Sequence, residues 1–342
     1  MKYFLFLCLL PTLLPAQSKL LNDPDIVWAK EMEKDWVVDV ISLDSEWEYG
    51  ITTMKLLRTE RNDAYWEFPF LAALVFQAAE AGKLPIFADP KCSMPVNAAE
   101  ALFYTDTVIT FNPETYEEVM KIVRARYDPY REVKTWRVRE ILAYNKKTAG
   151  WAAQVEAVAP MRIIRNPDGD SIGIKPVFWF PVDNKSMKLS NNNVVWAKQI
   201  KSRQESNYYH IDGGQPVKIS EGFQNPVEHQ LKVFGTDTKT PFYDYLNDKQ
   251  LTLTERTRML SRVDTIVTFD PETYEEKVMV VRNDFNASSV TKIRLIHQWY
   301  WDEKRNRLAI VADAVGMMRD VKGYDGDFRY TTPFYYSRVR KK

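Results

Sequence analysis

The chain has 342 residues, 45% hydrophobic and 27% charged, and its 47 lysines and arginines against 46 acids leave a net charge of +1. These values fit a globular protein long enough for two domains, and they exclude extensive disorder or a general attraction to nucleic acid or an anionic membrane. Aromatic residues, at 13%, favour a strand-rich and closely packed structure.

The first sixteen residues stand apart. Lys2 supplies a positive start, Tyr3–Leu14 is apolar, and Leu14-Pro15-Ala16 precedes polar Gln17-Ser18-Lys19. This reads as a secretory signal peptide over residues 1–16, cleaved after Ala16. The apolar run is shorter than the roughly twenty residues a membrane span needs. Cys8 lies inside it, and Leu7 is too bulky for the residue preceding a lipid-attachment cysteine, so the exported chain is not expected to be a lipoprotein. Removing Lys2 leaves 46 basic residues (47 − 1) against 46 acidic, a net charge of zero. Cys92 then has no cysteine left to pair with inside the chain and is expected to be a plain thiol.

Thr105–Glu118, TDTVITFNPETYEE, returns as Val263–Glu276, VDTIVTFDPETYEE, with ten of fourteen residues identical and a spacing of 158 (263 − 105). That spacing is the length of a domain, so the chain reads as a tandem duplication. The expected division is a first repeat over 17–182, a polar linker over 183–193 and a second repeat over 194–342.

Each repeat opens on one phrase, Ile26-Val27-Trp28-Ala29-Lys30 and Val194-Val195-Trp196-Ala197-Lys198, which fits a helix start or a strand equally well. Phe68-Pro69-Phe70 begins a helix that Gly82 stops, with Leu71, Leu74, Val75 and Ala78 on its buried face. Thr240-Pro241-Phe242 reads as its counterpart, capped by Thr240, at a shift of 172 (241 − 69) against 168 (196 − 28) at the tryptophan phrase. Leu251–Leu260 predicts a further short helix.

The repeated block begins as a strand, Asp106–Phe111, which Asn112-Pro113 interrupts. The PETYEE segment predicts one helical turn capped by Asn112 or Asp270, before the chain returns through Val119–Val123 or Val278–Val281, a hairpin-like excursion in both repeats. Val133–Leu142 and Val290–Trp299, then Val155–Met161 and Val311–Met318, then strands after Asp168-Gly169-Asp170 and Asp325-Gly326-Asp327, predict an antiparallel three-stranded meander closing each repeat. The expected fold class is α+β, two tandem copies of one domain, each a helix followed by a strand-rich antiparallel meander.

Little in the chain suggests catalysis. Glu114, Glu117 and Glu118, with their twins Glu272, Glu275 and Glu276, read as solvated acids of a turn, because acid–base work needs a pocket that separates their pKa values. A calcium loop begun at Asp168 would reach Trp179 at its twelfth position, where a glutamate is required. His210, His229 and His297 have no partners at metal-ligand spacing, and no phosphate loop or nucleophile elbow is present. No enzyme activity, cofactor or metal is therefore expected. Ten tryptophans exceed what a catalytic reading needs. Most belong in a core, yet tryptophan also anchors interfaces, and Trp28 and Trp196, kept in both repeats, are the candidate partner-binding residues.

Asp25-Ile26-Val27-Trp28-Ala29-Lys30, Val133-Lys134-Thr135-Trp136-Arg137-Val138, Val158-Ala159-Pro160-Met161 and Val177-Phe178-Trp179-Phe180-Pro181, in this order, resemble the GldN/PorN family of the type IX secretion and gliding-motility machinery. The resemblance implies a non-enzymatic, periplasmic ring subunit. Its implied partners are an outer-membrane lipoprotein of the same system, neighbouring subunits in the ring and an inner-membrane-anchored motor shaft, with no nucleic acid. The alternative from another class is a periplasmic carbohydrate- or peptidoglycan-binding module using exposed tryptophans as stacking platforms. A third reading, an envelope hydrolase built on Glu117/Glu118 or Asp168/Asp170, would need a deep pocket around one pair.

Overall fold

The structure, a computed structural model, describes residues 20–38, 54–59, 71–166, 170–205, 214–223, 225–245, 247–269, 272–285, 287–322 and 327–339. The expected signal peptide, Phe68-Pro69-Phe70, Asp168-Gly169, Asp270, Asp325-Gly326 and His210 lie outside these residues.

The first half runs β1 (Ile26–Val37), β2 (Met54–Thr59), α1 (Leu71–Glu80), α2 (Ala98–Ala101), β3 (Phe103–Phe111), β4 (Glu118–Arg126), α3 (Pro129–Glu132), β5 (Val133–Asn145), β6 (Gly150–Arg165), β7 (Ser171–Pro176) and β8 (Phe180–Pro181). The second runs β9 (Val194–Glu205), β10 (Gln215–Ile219), α4 (Pro226–Thr236), α5 (Leu253–Leu260), β11 (Ser261–Phe269), β12 (Glu276–Asp284), β13 (Val290–Asp302), β14 (Arg307–Lys322) and β15 (Phe328–Arg338). The protein is thus strand-rich. The tryptophan phrases are strands, β1 and β9, and two strands precede the helices in each half, so the expected helix-then-meander order is incomplete at its start. The closing meanders are present as β5-β6-β7 and β13-β14-β15.

Two antiparallel sheets carry the fold, in the orders β10-β1-β5-β6-β7, with β8 on β6, and β15-β14-β13-β9-β2. The halves exchange strands. β10 of the second half pairs with β1, setting Trp28 opposite Ile219, while β2 of the first half pairs with β9, setting Thr59 opposite Trp196. Each sequence repeat therefore completes the other's sheet. The polar segment after β8 is also tied to both. Asp183 exchanges backbone hydrogen bonds with Leu308 and Ile310, and the Asn184 side chain accepts from the Val155 amide and donates to its carbonyl.

One apolar cluster runs through both halves, with Trp36 and Trp136 of the first sheet against Trp299 of the second. Trp136 meets Trp299 edge-on at 6.3 Å between ring centres, and Trp36 lies 6.2 Å from it. Near these rings, equivalent positions of the two repeats meet. β-bulges fall between Arg139 and Glu140 and between Ile296 and His297, both at a shift of 157 (297 − 140). A bulge re-aims the side chains beside it. Here the result is that His297 Nε2 approaches Glu140 Oε2 to 3.2 Å with both groups almost wholly buried. The approach is off the angle of a hydrogen bond, and neither side chain has a hydrogen-bond partner among the described residues. A second tie between the halves is buried Gln230 on α4, whose Oε1 accepts from Trp151 Nε1 at 2.9 Å and from the Tyr335 hydroxyl at 3.2 Å.

Helix α1 buries Leu71, Val75 and Ala78 of the expected face, with Leu74 half-buried, and ends at Glu80 just before Gly82, whose φ of 67° lets the chain turn back. Its counterpart does not begin at Thr240-Pro241. The helix there is α4, capped by Asn225 with Pro226 in its first turn. Thr240 instead spends its hydroxyl and amide on the Asp237 carboxylate, and Tyr243 bridges Tyr336. That geometry matches Leu84-Pro85-Ile86, since Phe87 bridges Trp179 in the same way, at a shift of 156 (241 − 85). The apparent shift of 172 came from matching the wrong proline. Leu251–Leu260 forms α5, from Leu253, closed by a capping box between Thr252 and Glu255.

Candidate interaction surface

Two pairs of strands belong to neither large sheet: β3 with β4, and β11 with β12. They are the predicted excursions of the repeated block. Threonine, valine and isoleucine favour extended backbone, so strands form, and Asn112 reverses the chain. Its side-chain oxygen accepts from the Glu114 amide at 2.9 Å, its carbonyl from the Tyr116 amide at 2.8 Å, and its own amide donates to the Glu117 carbonyl at 2.9 Å. The expected single turn capped by Asn112 is present as this four-residue hydrogen bond, and Tyr116, at a left-handed φ of 56°, ends it and sends the chain directly into β4. Tyr274 repeats that φ of 56° in the second hairpin. Left-handed backbone is unfavourable for an aromatic residue, and both rings stand in solvent, 81% and 80% exposed.

Side chains alternate across a strand pair, so the register settles which of them share a face. In the first hairpin Ile109 pairs with Met120 and Phe111 with Glu118, and Ile122 and Arg124 follow on the same face. In the second, Val267 pairs with Val278 and Phe269 with Glu276, each 158 positions on. Both faces are apolar and open to water: Met120 and Ile122 are each 73% exposed, and Phe111 and Phe269 each 62%. Contiguous apolar surface of this kind marks a contact site far more often than scattered exposed residues do. Acids lie at the tip end of each face, and at the root of the first hairpin the Arg124 guanidinium stacks on Phe103, 4.9 Å from the ring centre.

Of the predicted site residues, only Glu118 and Glu276 lie on these faces. Trp28 and Trp196 are 6% and 4% exposed and lie in the core, Trp28 meeting Trp151 edge-on at 6.0 Å, so in the folded chain neither offers a ring to a partner. Burial extends to every tryptophan among the described residues, including Trp36, Trp136, Trp179 and Trp301. For those within strands the alternation carries that signal, whereas Trp179, between buried Phe178 and Phe180, is placed by its bridge to Phe87. Glu114, Glu117 and Glu118 and their twins Glu272, Glu275 and Glu276 are exposed around the hairpin tips. Asp170 closes a turn with Asn166, whose side chain accepts from the Asp170 amide at 2.7 Å. His229 hydrogen-bonds the Tyr144 hydroxyl at 2.9 Å, and burial, with the charges of Lys146 and Lys232, pushes its pKa below the ordinary imidazole value. The Cys92 thiol is pushed up to about 12, first by burial and then by the Asp89 carboxylate.

The sequence held a signal for the hairpin faces that the reading above passed over. Apolar alternation in ITF and VMKI needs a covering element, and the short polar segments around the block supply none.

The chain was compared with known proteins. The model of the family described as "Gliding motility associated protein GldN" matches it twice, over residues 47–212 and 192–342. No curated protein matches it.

Proposed function

The chain belongs to the gliding motility associated protein GldN family, a component of gliding motility and type IX secretion, and from that premise we propose that it is a non-enzymatic structural subunit of a periplasmic ring. In this reading an outer-membrane lipoprotein of the same system holds the ring to the outer membrane, and an inner-membrane-anchored motor shaft bears on it. The observation that carries the reading is the pair of equivalent hairpins, each with an exposed apolar face and a left-handed tyrosine at its tip. Two like surfaces on one chain suit a subunit that touches neighbours on two sides, the arrangement from which rings close. The apolar leader over residues 1–16 supports export, and the exposed position of the PETYEE acids supports contact rather than catalysis.

Gentle extraction of envelopes, followed by size fractionation and mass spectrometry, tests the proposal. The mature chain is expected in a particle far larger than itself, together with a lipoprotein. If it runs as a free monomer under conditions that keep other envelope complexes intact, the ring reading fails.

A further inference from the structure

We propose that the β3–β4 hairpin of one copy packs face to face, tip against root, on the β11–β12 hairpin of the next copy. The inference rests on the ring reading and deepens it by naming the surface and its occupant.

Three observations support it. Along β4 the exposed face reads Glu118, Met120, Ile122, Arg124, an acid at the tip, two apolar residues and a base at the root. Along β12 the same register positions read Glu276, Val278, Val280, Arg282, at a constant shift of 158. Laid antiparallel, two such faces bring each acid beside the other's base while the apolar centres close on one another, a charge match that fixes register as well as attraction. Arg124 is held for that contact, since its stacking on Phe103 and its hydrogen bond to the Ala99 carbonyl orient the guanidinium without neutralising it.

Size decides between like and unlike pairs. The first face is bulky, with Ile109, Met120 and Ile122, whereas the second has Val267, Val278 and Val280 at those positions. Large against small interdigitates, while large against large would hold the hairpins apart. The favoured contact is therefore between a first-half and a second-half hairpin, which is head-to-tail and leaves the joined pair with one free hairpin at either end. It also covers a two-stranded sheet that is only marginally stable by itself.

The test uses the full mature chain with Met120→Cys or Val278→Cys and a short bis-maleimide. Cys92, whose thiol burial pushes up to about 12, stays largely unreactive near neutral pH and is replaced by serine in a control. A mixture of the two variants is expected to cross-link to dimers, neither alone is, and the double variant gives a ladder. Ile122→Lys, at a strongly exposed position, is expected to weaken self-association about tenfold or more without changing the melting temperature. Dimers from Met120→Cys alone would overturn the unlike pairing. Copies that sediment as oligomers but never cross-link would overturn the surface, and copies that never associate would overturn the occupant. An envelope particle containing a chain whose purified copies do not cross-link ends this inference and leaves the ring reading intact. Cross-linking copies that travel free in the envelope do the reverse.

Discussion

Where the two sheets meet, the two repeats have drifted apart: Glu140 stands where the second has His297, Trp136 where it has Ile293, and Leu142 where it has Trp299. Along β3 and the hairpin tip they have hardly changed, with ten of fourteen residues retained, whereas β4 shares with β12 only Glu118, Val123 and Arg124. Packing explains the first region. Glu140 and His297, which are equivalent positions, meet across the junction of the sheets, and Trp136 meets Trp299 there, so residues of both halves fill one shared volume and cannot vary independently. No such constraint acts inside the fold on Phe111 and Phe269 or on the tip residues Tyr116 and Tyr274, which are exposed. Their sameness points outward, to contacts with other molecules.

The comparison breaks most sharply at the buried pair. His297→Leu leaves the Glu140 side chain buried without its polar neighbour and is expected to cost about 1–3 kcal/mol in chemical denaturation. Replacing Glu140 by leucine as well should restore most of that loss, and if the double variant is no more stable than the single one, the two groups do not act as a pair. Next comes the strand exchange. Gly214 has a φ of 71°, and a Cβ there would lie 2.2 Å from the Glu31 carbonyl oxygen. Gly214→Ala should cost about 1–3 kcal/mol and speed hydrogen exchange along β1 and β10, whereas unchanged exchange there would argue against the pairing.

The hairpin tips should behave in the opposite sense. Tyr116→Gly relieves a left-handed aromatic residue and is expected to leave stability unchanged or raise it by about 1 kcal/mol. The same change should weaken association with envelope partners in co-purification. A loss of stability would mean that the ring is structural. The smallest effect separates the two helix caps. The Glu255 carboxylate is held down to about 2, first by the Thr252 amide and then by Lys249, in the capping box of α5, while α2 has only the Asn97 cap. A depressed carboxylate adds stability above its ordinary pKa of about 4.5 and loses it as pH falls toward 2. The stability difference between the protein and Glu255→Gln should therefore shrink over that window, and a difference independent of pH would remove the capping role.

Several parts of this architecture were legible in the residues. Strand alternation and the 158-residue repeat located both hairpins and the closing meanders, and Gly82 located the end of α1, because these signals are local in the chain. Thr240-Pro241 misled for the same reason: a capping threonine before a proline is a local helix start, but Asp237 captured that threonine and the core captured Phe242. Trp28 and Trp196 misled because repetition marks a residue as needed without saying whether core or partner needs it. The sheets that close over them, completed by strands from opposite halves, answer that question.

By itself the sequence determined that one module occurs twice, that its strands are antiparallel and that each copy carries the same excursion, since short-range pattern and self-similarity suffice for all three. Tertiary structure alone decided that the copies exchange β2 and β10, that Glu140 meets His297, and that the excursions carry uncovered apolar faces. Those outcomes depend on which distant segments share a volume, and pairing between segments more than a hundred residues apart leaves no local trace in either one.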